Sequence, residues 1–384
     1  MGSSTRAFVA SRIFVPEPAA ASFRLEALAL ALQDDGADVT VLTTRAPDGA
    51  TPDVPGVDVR RWPVLRDPTG YVRGYVQYLS FDVPLFLRLL LARRPDVVVA
   101  EPPPTTGAVV ALAGIVRRFP YVYYAADIWS DAAGASAPRP VVAALRAVER
   151  LVLRRAAAVL AVSPEVGERV QELGARRVSV VPNGIDTRVF AAEGAAPAPA
   201  AGRYFLYAGT ASEWQGAEVF ASAMRRVYAR HPDVRLVYLG QGSSWERIRE
   251  IARTLPDGVV RMHDRVSPAE AAAWLLGAVA SLVSIRPGLG YDLARPTKVF
   301  AALAVGCPVV YAGPGPLRDV VDQGFGWTTK HDEEAVAEAM LRALDGPRPD
   351  PASARRWVEE HASLRATGER AADSVLGVAR RLTL

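Results

Sequence analysis

A lysine at the start of a predicted helix carries the clearest chemical signal in the sequence. Pro296, Thr297 and Lys298 open a helix that ends at Gly306, because proline favours the first helical turn and glycine the position after the last. The N–H groups of the first turn, the helix dipole and the Lys298 ammonium would converge on one point, with Arg295 beside them. Such a point is suited to a phosphate group.

Two predicted strands must position this helix. The segments 281–285 and 309–312 are short apolar runs that read as buried strands. Gly288 and Gly290 lie in the loop between the first strand and the helix. Open α/β sheets bind ligands at the carboxyl ends of their strands. We therefore expect the loop and the helix start to form one binding site.

The run Pro296-Thr297-Lys298, with the apolar helix and Gly306-Cys307-Pro308-Val309-Val310 after it, resembles the donor-binding segment of family 4 glycosyltransferases. It is most similar to the branch whose helix reads Pro-Ser-Lys, as in bacterial surface-polysaccharide and aminosugar transferases. A second resemblance is Pro182-Asn183-Gly184-Ile185-Asp186, which in this family lies at the hinge between two Rossmann-like domains.

The resemblance implies the α/β GT-B fold, in which two Rossmann-like domains face a cleft. The expected divisions are an acceptor-side domain over 1–187, a linker over 188–202, a nucleotide-sugar-binding domain over 203–350, and C-terminal helices over 351–384 that return to the first domain. The implied reaction is transfer of a hexosyl or N-acetylhexosaminyl group from a nucleotide sugar to a glycan or lipid-linked acceptor. It would proceed with retention and without a metal, and a UDP-sugar is favoured over a GDP-sugar.

Nine residues are expected to bind the donor. Gly209 and Thr210 follow a strand of the second half, and His263 and Arg265 fall where the family approaches the nucleotide base. The full set is Gly209, Thr210, His263, Arg265, Gly288, Gly290, Arg295, Thr297 and Lys298, with Lys298 also catalytic because it would stabilise the leaving diphosphate.

The sequence departs from the family at the ribose and at the diphosphate. The family's glutamate in the donor helix corresponds to Ala301, and a second loop glutamate falls near Leu293, with Asp292 beside it. The Arg and Lys that follow the glycine of the first donor-domain strand are absent. Phosphate binding would then rest on Lys298, with Arg295 or Arg286 assisting, and ribose recognition has no assigned residue.

The first half carries the expected acceptor side. Its first strand is not followed by the Gly-x-Gly-x-x-Gly of a dinucleotide site, which argues against a nicotinamide-dependent dehydrogenase. Asp127 and Trp129 follow the strand-like run 121–126, where related transferases carry a similar Asp-x-Trp and others a histidine. All four histidines lie in the second half, so Asp127 is the candidate catalytic carboxylate. Alternatively, Asp127 caps the next segment.

Further acceptor-side candidates follow strands or lie near the expected cleft. Glu101 and Thr106 come after the buried run 96–100, at the edge where α/β sheets bind ligands. The complete set is Glu17, Glu101, Thr106, Trp129 and Asn183.

The segment Tyr71–Arg94 combines aromatic residues and arginines in a helical pattern, with a break expected at Pro84. Its apolar residues are Tyr71, Tyr75, Tyr78, Phe81, Leu85, Phe86, Leu89 and Leu90, and the arginines that flank them are Arg66, Arg73, Arg88, Arg93 and Arg94. One interpretation is peripheral contact with an anionic membrane. The other is a pair of core-facing helices with a solvated basic face.

Composition limits the remaining possibilities. The chain has 384 residues, half of them hydrophobic, and a net charge of +4, which suits two domains. Arginines are mixed with carboxylates and no aromatic-basic repeat occurs, so nucleic-acid binding is not expected. No run is long enough for a membrane span, no signal peptide is evident, and the single cysteine fits a reducing compartment. We expect a cytoplasmic protein, at the inner face of the membrane if the contact above occurs.

No metal-ligand cluster or cofactor motif is evident, so neither a metal nor a cofactor is expected.

Two other functions remain open. A non-catalytic sugar-nucleotide or glycan-binding subunit would explain Ala301 and the missing Arg and Lys. A non-hydrolysing nucleotide-sugar epimerase shares the fold, but it would need paired acid and base groups that a histidine-free first half does not offer.

Overall fold

The computed structural model describes residues 4–17, 19–67, 70, 72, 74–133, 138–192 and 202–381. The chain divides into two compact units, one formed by 1–184 together with 364–384 and the other by 185–363. Most of the expected linker, residues 193–201, lies outside the described residues, as do Tyr71 and Arg73 of the aromatic segment.

The first unit is built on seven parallel strands. They are β1 (Arg6–Ala10), β2 (Asp38–Thr44), β3 (Val57–Trp62), β4 (Val97–Ala100), β5 (Tyr121–Ala125), β6 (Ala158–Ala161) and β7 (Val178–Val180). Their order across the sheet is β3-β2-β1-β4-β5-β6-β7. Strands β4, β5 and β6 are buried along their whole length, which explains why they read as continuous apolar runs.

Helices cover both faces of this sheet. In chain order the first six are α1 (Ala20–Asp34), α2 (Tyr75–Leu91), α3 (Pro104–Arg117), α4 (Trp129–Ala133), α5 (Arg139–Arg155) and α6 (Pro164–Glu172). Side chains of α1 pack on one face and those of α2, α3, α5 and α6 on the other. Alternate residues of each strand supply the two cores, as the period of a strand requires.

Helix α2 corrects part of the sequence-based interpretation. It continues through Pro84 without the expected break. Phe81, Leu85 and Leu89 are buried in the core beneath it, so these three cannot contact a membrane. The exposed apolar side chains of α2 are a different set, at a spacing of about four residues: Tyr75, Val76, Leu79, Val83, Leu87 and Leu91.

The second unit has a parallel sheet of six strands. They are β8 (Tyr204–Thr210), β9 (Arg235–Gln241), β10 (Val260–His263), β11 (Ala280–Ser284), β12 (Val309–Ala312) and β13 (Gly326–Thr329), in the order β10-β9-β8-β11-β12-β13. The helices are α7 (Glu218–Arg230), α8 (Trp245–Ala252), α9 (Pro268–Gly277), α10 (Lys298–Ala304), α11 (Arg318–Val321), α12 (Glu333–Asp345) and α13 (Pro351–His361). Two parallel-sheet, Rossmann-like units confirm the predicted fold class.

The C-terminal segment is shared between the units. Val358 of α13 is buried in the second unit's core, and Trp357 stacks on Phe300 with 6.2 Å between ring centroids. Only the last helix, α14 (Leu364–Arg380), packs in the first unit, against α1. The return therefore starts at Leu364 rather than at residue 351, because the apolar face of α13 is buried before the chain leaves the second unit.

No helix of the described chain has both the length and the apolar character needed to cross a membrane.

Candidate functional site

A pocket of about 620 Å³ opens at the carboxyl edge of the second unit's sheet. Its lining comes from the carboxyl ends of β8 and β9, the loops after β8 and β10, α9, β11, the start of α10 and the first residues of the unit. The lining residues are Ile185, Phe190, Ala208, Gly209, Thr210, Ser212, Trp214, Gln215, Leu239, Gly240, Arg265, Val266, Ala271, Leu275, Ser281, Pro296, Thr297, Lys298 and Ala301. These lining residues include two cations and no carboxylate, so the pocket favours an anion.

Lys298 is the chemical centre of this pocket. Its Nζ atom is buried and has no hydrogen-bond partner among the described residues, although the rest of the side chain is partly exposed. The ammonium lies 3.8 Å from the centroid of the Tyr207 ring, a cation–π contact. Burial lowers the pKa of Lys298 from 10.5 to about 7, because desolvation disfavours the charged form. A bound phosphate would supply the missing acceptor and restore the charge.

The helix that begins at Lys298 is shorter than expected. It has seven residues, and the N–H of Val299 already donates to the Pro296 carbonyl at 3.1 Å. Free N–H groups and a helix dipole therefore contribute less than the sequence predicted. The preference of the pocket for an anion therefore comes mainly from the positive side chains of Lys298 and Arg265.

Two glycines allow the carboxyl ends of β8 and β9, and the residues directly after them, to approach closely. Gly240 has a φ of +138°, and a Cβ there would lie 2.3 Å from the Gly209 carbonyl oxygen. Gly242 has a φ of +152°, and its Cβ would lie 2.2 Å from the Ala211 carbonyl oxygen. A side chain at either position would separate the two segments, and one at position 240 would displace Gly209, which lies against the Lys298 side chain.

Four of the expected donor residues line the pocket together with Lys298: Gly209, Thr210, Arg265 and Thr297. Ala301 also lines it, at the position where the family carries a glutamate. The neighbouring candidates for the ribose are directed elsewhere. Asp292 accepts a hydrogen bond from the Gly288 N–H at 3.0 Å, and Leu293 is exposed.

The other expected donor residues lie outside the pocket lining. His263 is exposed and packs against Trp274, with 5.4 Å between ring centroids. Gly288 and Gly290 are exposed loop residues, and Arg295 is half-buried beside the lining residue Pro296. Arg286 pairs with Glu218, so its charge is neutralised within the protein and it is not free to assist Lys298.

Sequence reasoning missed two aromatic residues of this site. Tyr207 lies in the middle of β8 and read as an ordinary core residue, yet its ring supports the Lys298 ammonium. Trp214 lines the pocket and stacks on Tyr291, with 4.7 Å between ring centroids and 19° between planes. For Trp214 the sequence did offer a signal, because a tryptophan in the loop directly after β8 lies at the edge of the sheet where ligands bind.

In the first unit, Glu101 is part of a buried polar network. Its carboxylate pairs with the Arg24 guanidinium and accepts a hydrogen bond from Ser11 Oγ at 2.7 Å. Arg24 also donates to Asn183 Oδ1 at 3.1 Å. The structure thus joins two expected acceptor-side residues, Glu101 and Asn183, through an arginine of α1 that the sequence did not single out. Both are held by protein partners.

The side chains of Glu17 and Thr106 also form hydrogen bonds within the first unit. Arg66 donates two hydrogen bonds to the Glu17 carboxylate, of 3.0 and 3.1 Å. Thr106 donates to Asp82 Oδ1 at 2.6 Å. Burial raises the pKa of Asp82, and the bond from Thr106 opposes that rise.

Asp127 and Trp129 follow β5 at the carboxyl edge of the first sheet. Trp129 meets Tyr78 edge to face at 5.9 Å, and the Arg12 guanidinium lies 4.7 Å from the centre of the Tyr78 ring. Asp127 is exposed, so it is open to a ligand. The N–H groups of Trp129 and Ser130 are instead bound by the buried Glu149 carboxylate.

The described residues contain no group of three or more His, Cys, Asp or Glu side chains placed to hold a metal ion.

Comparison with protein families assigns both halves of the chain. Residues 20–184 match the model of the glycosyl transferase 4-like domain, and residues 202–346 match that of the glycosyl transferases group 1. The chain carries the two domains of a glycosyltransferase. All residues that line the pocket of this glycosyltransferase, except Ile185 and Phe190, lie within the segment matched by the second model. No curated protein sequence matches the chain.

Solved structures similar to this glycosyltransferase have the GT-B fold. Sucrose-phosphate synthase from Thermosynechococcus elongatus is 18% identical, with 99% of this chain and 97% of that one covered and a TM-score of 0.62. A glycosyltransferase from Rickettsia africae is 13% identical over 99% of both chains, with a TM-score of 0.68. Anabaena HepE, in complex with UDP-glucose, is 16% identical over 98% of both chains, with a TM-score of 0.54. Identities this low show the fold alone.

Proposed function

We propose that this glycosyltransferase moves a hexosyl or N-acetylhexosaminyl group from a nucleoside diphosphate sugar to a saccharide acceptor. The observation that carries the proposal is the buried Lys298 ammonium, which has no hydrogen-bond partner among the described residues, in a pocket whose lining also contains Arg265 and no carboxylate. A leaving diphosphate needs neutralising charge that is fixed before the reaction starts. Lys298 and Arg265 provide such charge without a metal ion.

In the proposed reaction the bond between the sugar anomeric carbon and the diphosphate oxygen breaks. The acceptor hydroxyl forms the new bond on the same face, and its proton passes to the departing phosphate oxygen, so configuration is retained. Lys298 stabilises the charge that develops on the leaving oxygen. Asp127, exposed at the carboxyl edge of the first sheet, is proposed to orient the acceptor hydroxyl. Because protein side chains and not a metal ion stabilise the leaving diphosphate in this proposal, transferase activity should be unchanged by EDTA.

We propose a UDP-sugar as donor and a bacterial surface-polysaccharide or aminosugar pathway as context. The support is the Pro296-Thr297-Lys298 motif and the similarity in fold to Anabaena HepE, which was solved with UDP-glucose. A thermal-shift screen with UDP, GDP, ADP and dTDP and their common sugars tests this proposal. A selective rise for uridine compounds that is lost in Lys298→Met is expected. A selective rise for another base would refute the uridine assignment, and no rise with any compound would refute the donor pocket.

A non-catalytic binding subunit is the second candidate, and Ala301 is the observation that favours it. Without a glutamate at this position the pocket lining offers no carboxylate to the ribose hydroxyls. A turnover assay distinguishes the glycosyltransferase from the binding subunit. Release of nucleoside diphosphate from a bound sugar nucleotide, dependent on an added saccharide acceptor, identifies the enzyme. Tight binding without release under any acceptor identifies the binding subunit.

We further propose that the acceptor is lipid-linked and that the outer face of α2 contacts an anionic membrane from the cytoplasmic side. The support is the row Leu79, Val83 and Leu87, each more than half exposed, with Leu91 at 86% and Arg93 and Arg94 directly after it. An apolar row with cations at its end suits the interface of an anionic bilayer. Leu79→Ser/Val83→Ser/Leu87→Ser should abolish co-sedimentation with phosphatidylglycerol vesicles, whereas Leu289→Ser in the second unit should not. Equal sedimentation of both variants would refute the contact.

A further inference from the structure

A second pocket, of about 420 Å³, lies at the amino edge of the first unit's sheet. Its lining residues precede β5, β6 and β7 or lie at the end of α14 and just after it, so they are at the opposite edge from Asp127 and Glu101. They are Pro120, Arg154, Arg155, Ala156, Ala157, Arg176, Arg177, Val378 and Arg381. We call this the arginine pocket. Five of its nine lining residues are arginines.

Three separate chain segments bring these arginines together. Arg154 and Arg155 are the last residues of α5. Arg177 precedes β7, and its carbonyl accepts the Val159 N–H at 2.8 Å, which fixes this turn beside β6. The stem of Arg154 lies against Gly174, where a Cβ would come within 2.6 Å of the arginine Cγ. The fold therefore positions the arginine pocket through backbone pairing and close packing.

The five guanidinium groups that line the arginine pocket are not neutralised by other described side chains. Each is exposed, and none forms a hydrogen bond or ion pair with another residue of the described ranges. Other arginines are paired with carboxylates, among them Arg169 with Asp131 at 2.7 Å and Arg66 with Glu17 at 3.0 Å. The lining of the arginine pocket also contains no carboxylate.

Five like charges around one concavity repel one another, and this repulsion is a cost that a bound anion would remove. A guanidinium offers donors in a planar fork that matches the oxygens of a phosphate group. The floor, formed by Pro120, Ala156 and Val378, provides no competing acceptor side chain. A ligand with several negative oxygens fits this environment better than a single carboxylate.

We propose that the arginine pocket binds a phosphate-bearing anion at a site separate from the donor pocket. The ligand chemistry is that of a diphosphate or a phosphate diester. It has two sources, a soluble phosphate compound or the headgroup of an anionic lipid. The proposal does not depend on the donor assignment, since every lining residue belongs to the first unit.

The test compares two charge-matched variants of the full chain. Arg154→Gln/Arg177→Gln removes two cations from the arginine pocket. The control, Arg247→Gln/Arg253→Gln, removes two exposed arginines of the second unit that pair with glutamates of α8. Both variants carry Lys298→Met, so that the donor pocket does not contribute to binding. If Arg154→Gln impairs folding, Arg176→Gln/Arg177→Gln alters only the turn before β7.

Inorganic pyrophosphate is titrated calorimetrically, and sedimentation with phosphatidylglycerol vesicles is measured in parallel. We expect the arginine-pocket variant to bind one of these probes about tenfold or more weakly than the control, since charge-assisted hydrogen bonds are lost. If the arginine-pocket variant binds pyrophosphate more weakly than the control, the ligand is a soluble phosphate compound. If only its binding to vesicles is weaker, the ligand is a lipid headgroup. Equal binding of both probes by the two variants, or no binding of either probe by the control, would overturn the proposal.

Discussion

Replacing Lys298 by methionine should weaken the binding of UDP and remove its dependence on pH. The substitution keeps the length and apolar stem of the side chain and removes the ammonium, which has no hydrogen-bond partner among the described residues. A hydrogen bond to a charged group contributes about 1.5–3 kcal/mol, so the dissociation constant should rise roughly 10- to 150-fold. Lys330→Met is the matched control, because Lys330 is exposed and is the only other lysine of the chain.

The pH dependence follows from the pKa of Lys298, which burial lowers to about 7. Above that pH the empty pocket holds a neutral amine, and a diphosphate must bind together with a proton. The dissociation constant for UDP should therefore rise by up to about tenfold per pH unit above pH 7. It should change little with pH in Lys298→Met.

Isothermal titration of UDP between pH 6 and 9 measures the affinity. Lysine labelled with ¹³C at Cε gives two side-chain signals, one from Lys298 and one from Lys330, so the titration of Lys298 can be followed directly. Saturating UDP should shift its midpoint upward. An ordinary lysine midpoint near 10.5 in the empty protein, or equal loss of affinity in both methionine variants, would refute the reasoning.

The remaining predictions concern stability. Between pH 7 and 10.5 the unfolded chain binds a proton that folded Lys298 lacks, so the free energy of unfolding should rise with pH across this window, and urea titrations of Lys298→Met should not show the rise. Glu101→Gln leaves Arg24 buried without a counter-charge and should lower the unfolding free energy of the first unit by about 3–5 kcal/mol in urea; an unchanged midpoint would contradict the network. Gly368→Ala places a Cβ 2.5 Å from the Ala27 carbonyl oxygen, whereas Gly377→Ala on the same helix meets nothing within 4 Å. Thermal melting should show a loss of about 1–3 kcal/mol for the former and a gain of about 0.5–1 kcal/mol for the latter, and equal effects would exclude close packing of α14 on α1.

The sequence predicted the fold, and the position of Lys298 at the carboxyl edge of the second sheet, because both depend on local signals. Buried parallel strands read as continuous apolar runs, and Pro296 and Gly306 flank α10, each two residues beyond an end of the helix. The lysine that follows Pro296 and Thr297 lines the pocket, as expected. These features are visible within a few residues of one another.

Other features depend on residues far apart in the chain. Glu101 was identified from its place after a strand, but its partner Arg24 lies 77 residues earlier, and no spacing rule connects them. In α2 both faces are apolar, so periodicity could not decide that Phe81 and Leu85 are buried while Leu79 and Val83 are exposed. The arginine pocket was hidden for the same reason, since net charge over the whole chain averages its five cations with distant carboxylates.

The shared C-terminal segment has a consequence for synthesis. Side chains of α14, among them Ala371, Val375 and Leu376, complete one core of the first unit, yet they leave the ribosome after the whole of 185–363. At about 5–20 residues per second, that interval is on the order of ten to forty seconds. Throughout it, Leu25 and Leu28 of α1 lack their final cover, while the second unit can already fold. A nascent chain stalled before residue 364 should therefore recruit chaperones through the first unit alone.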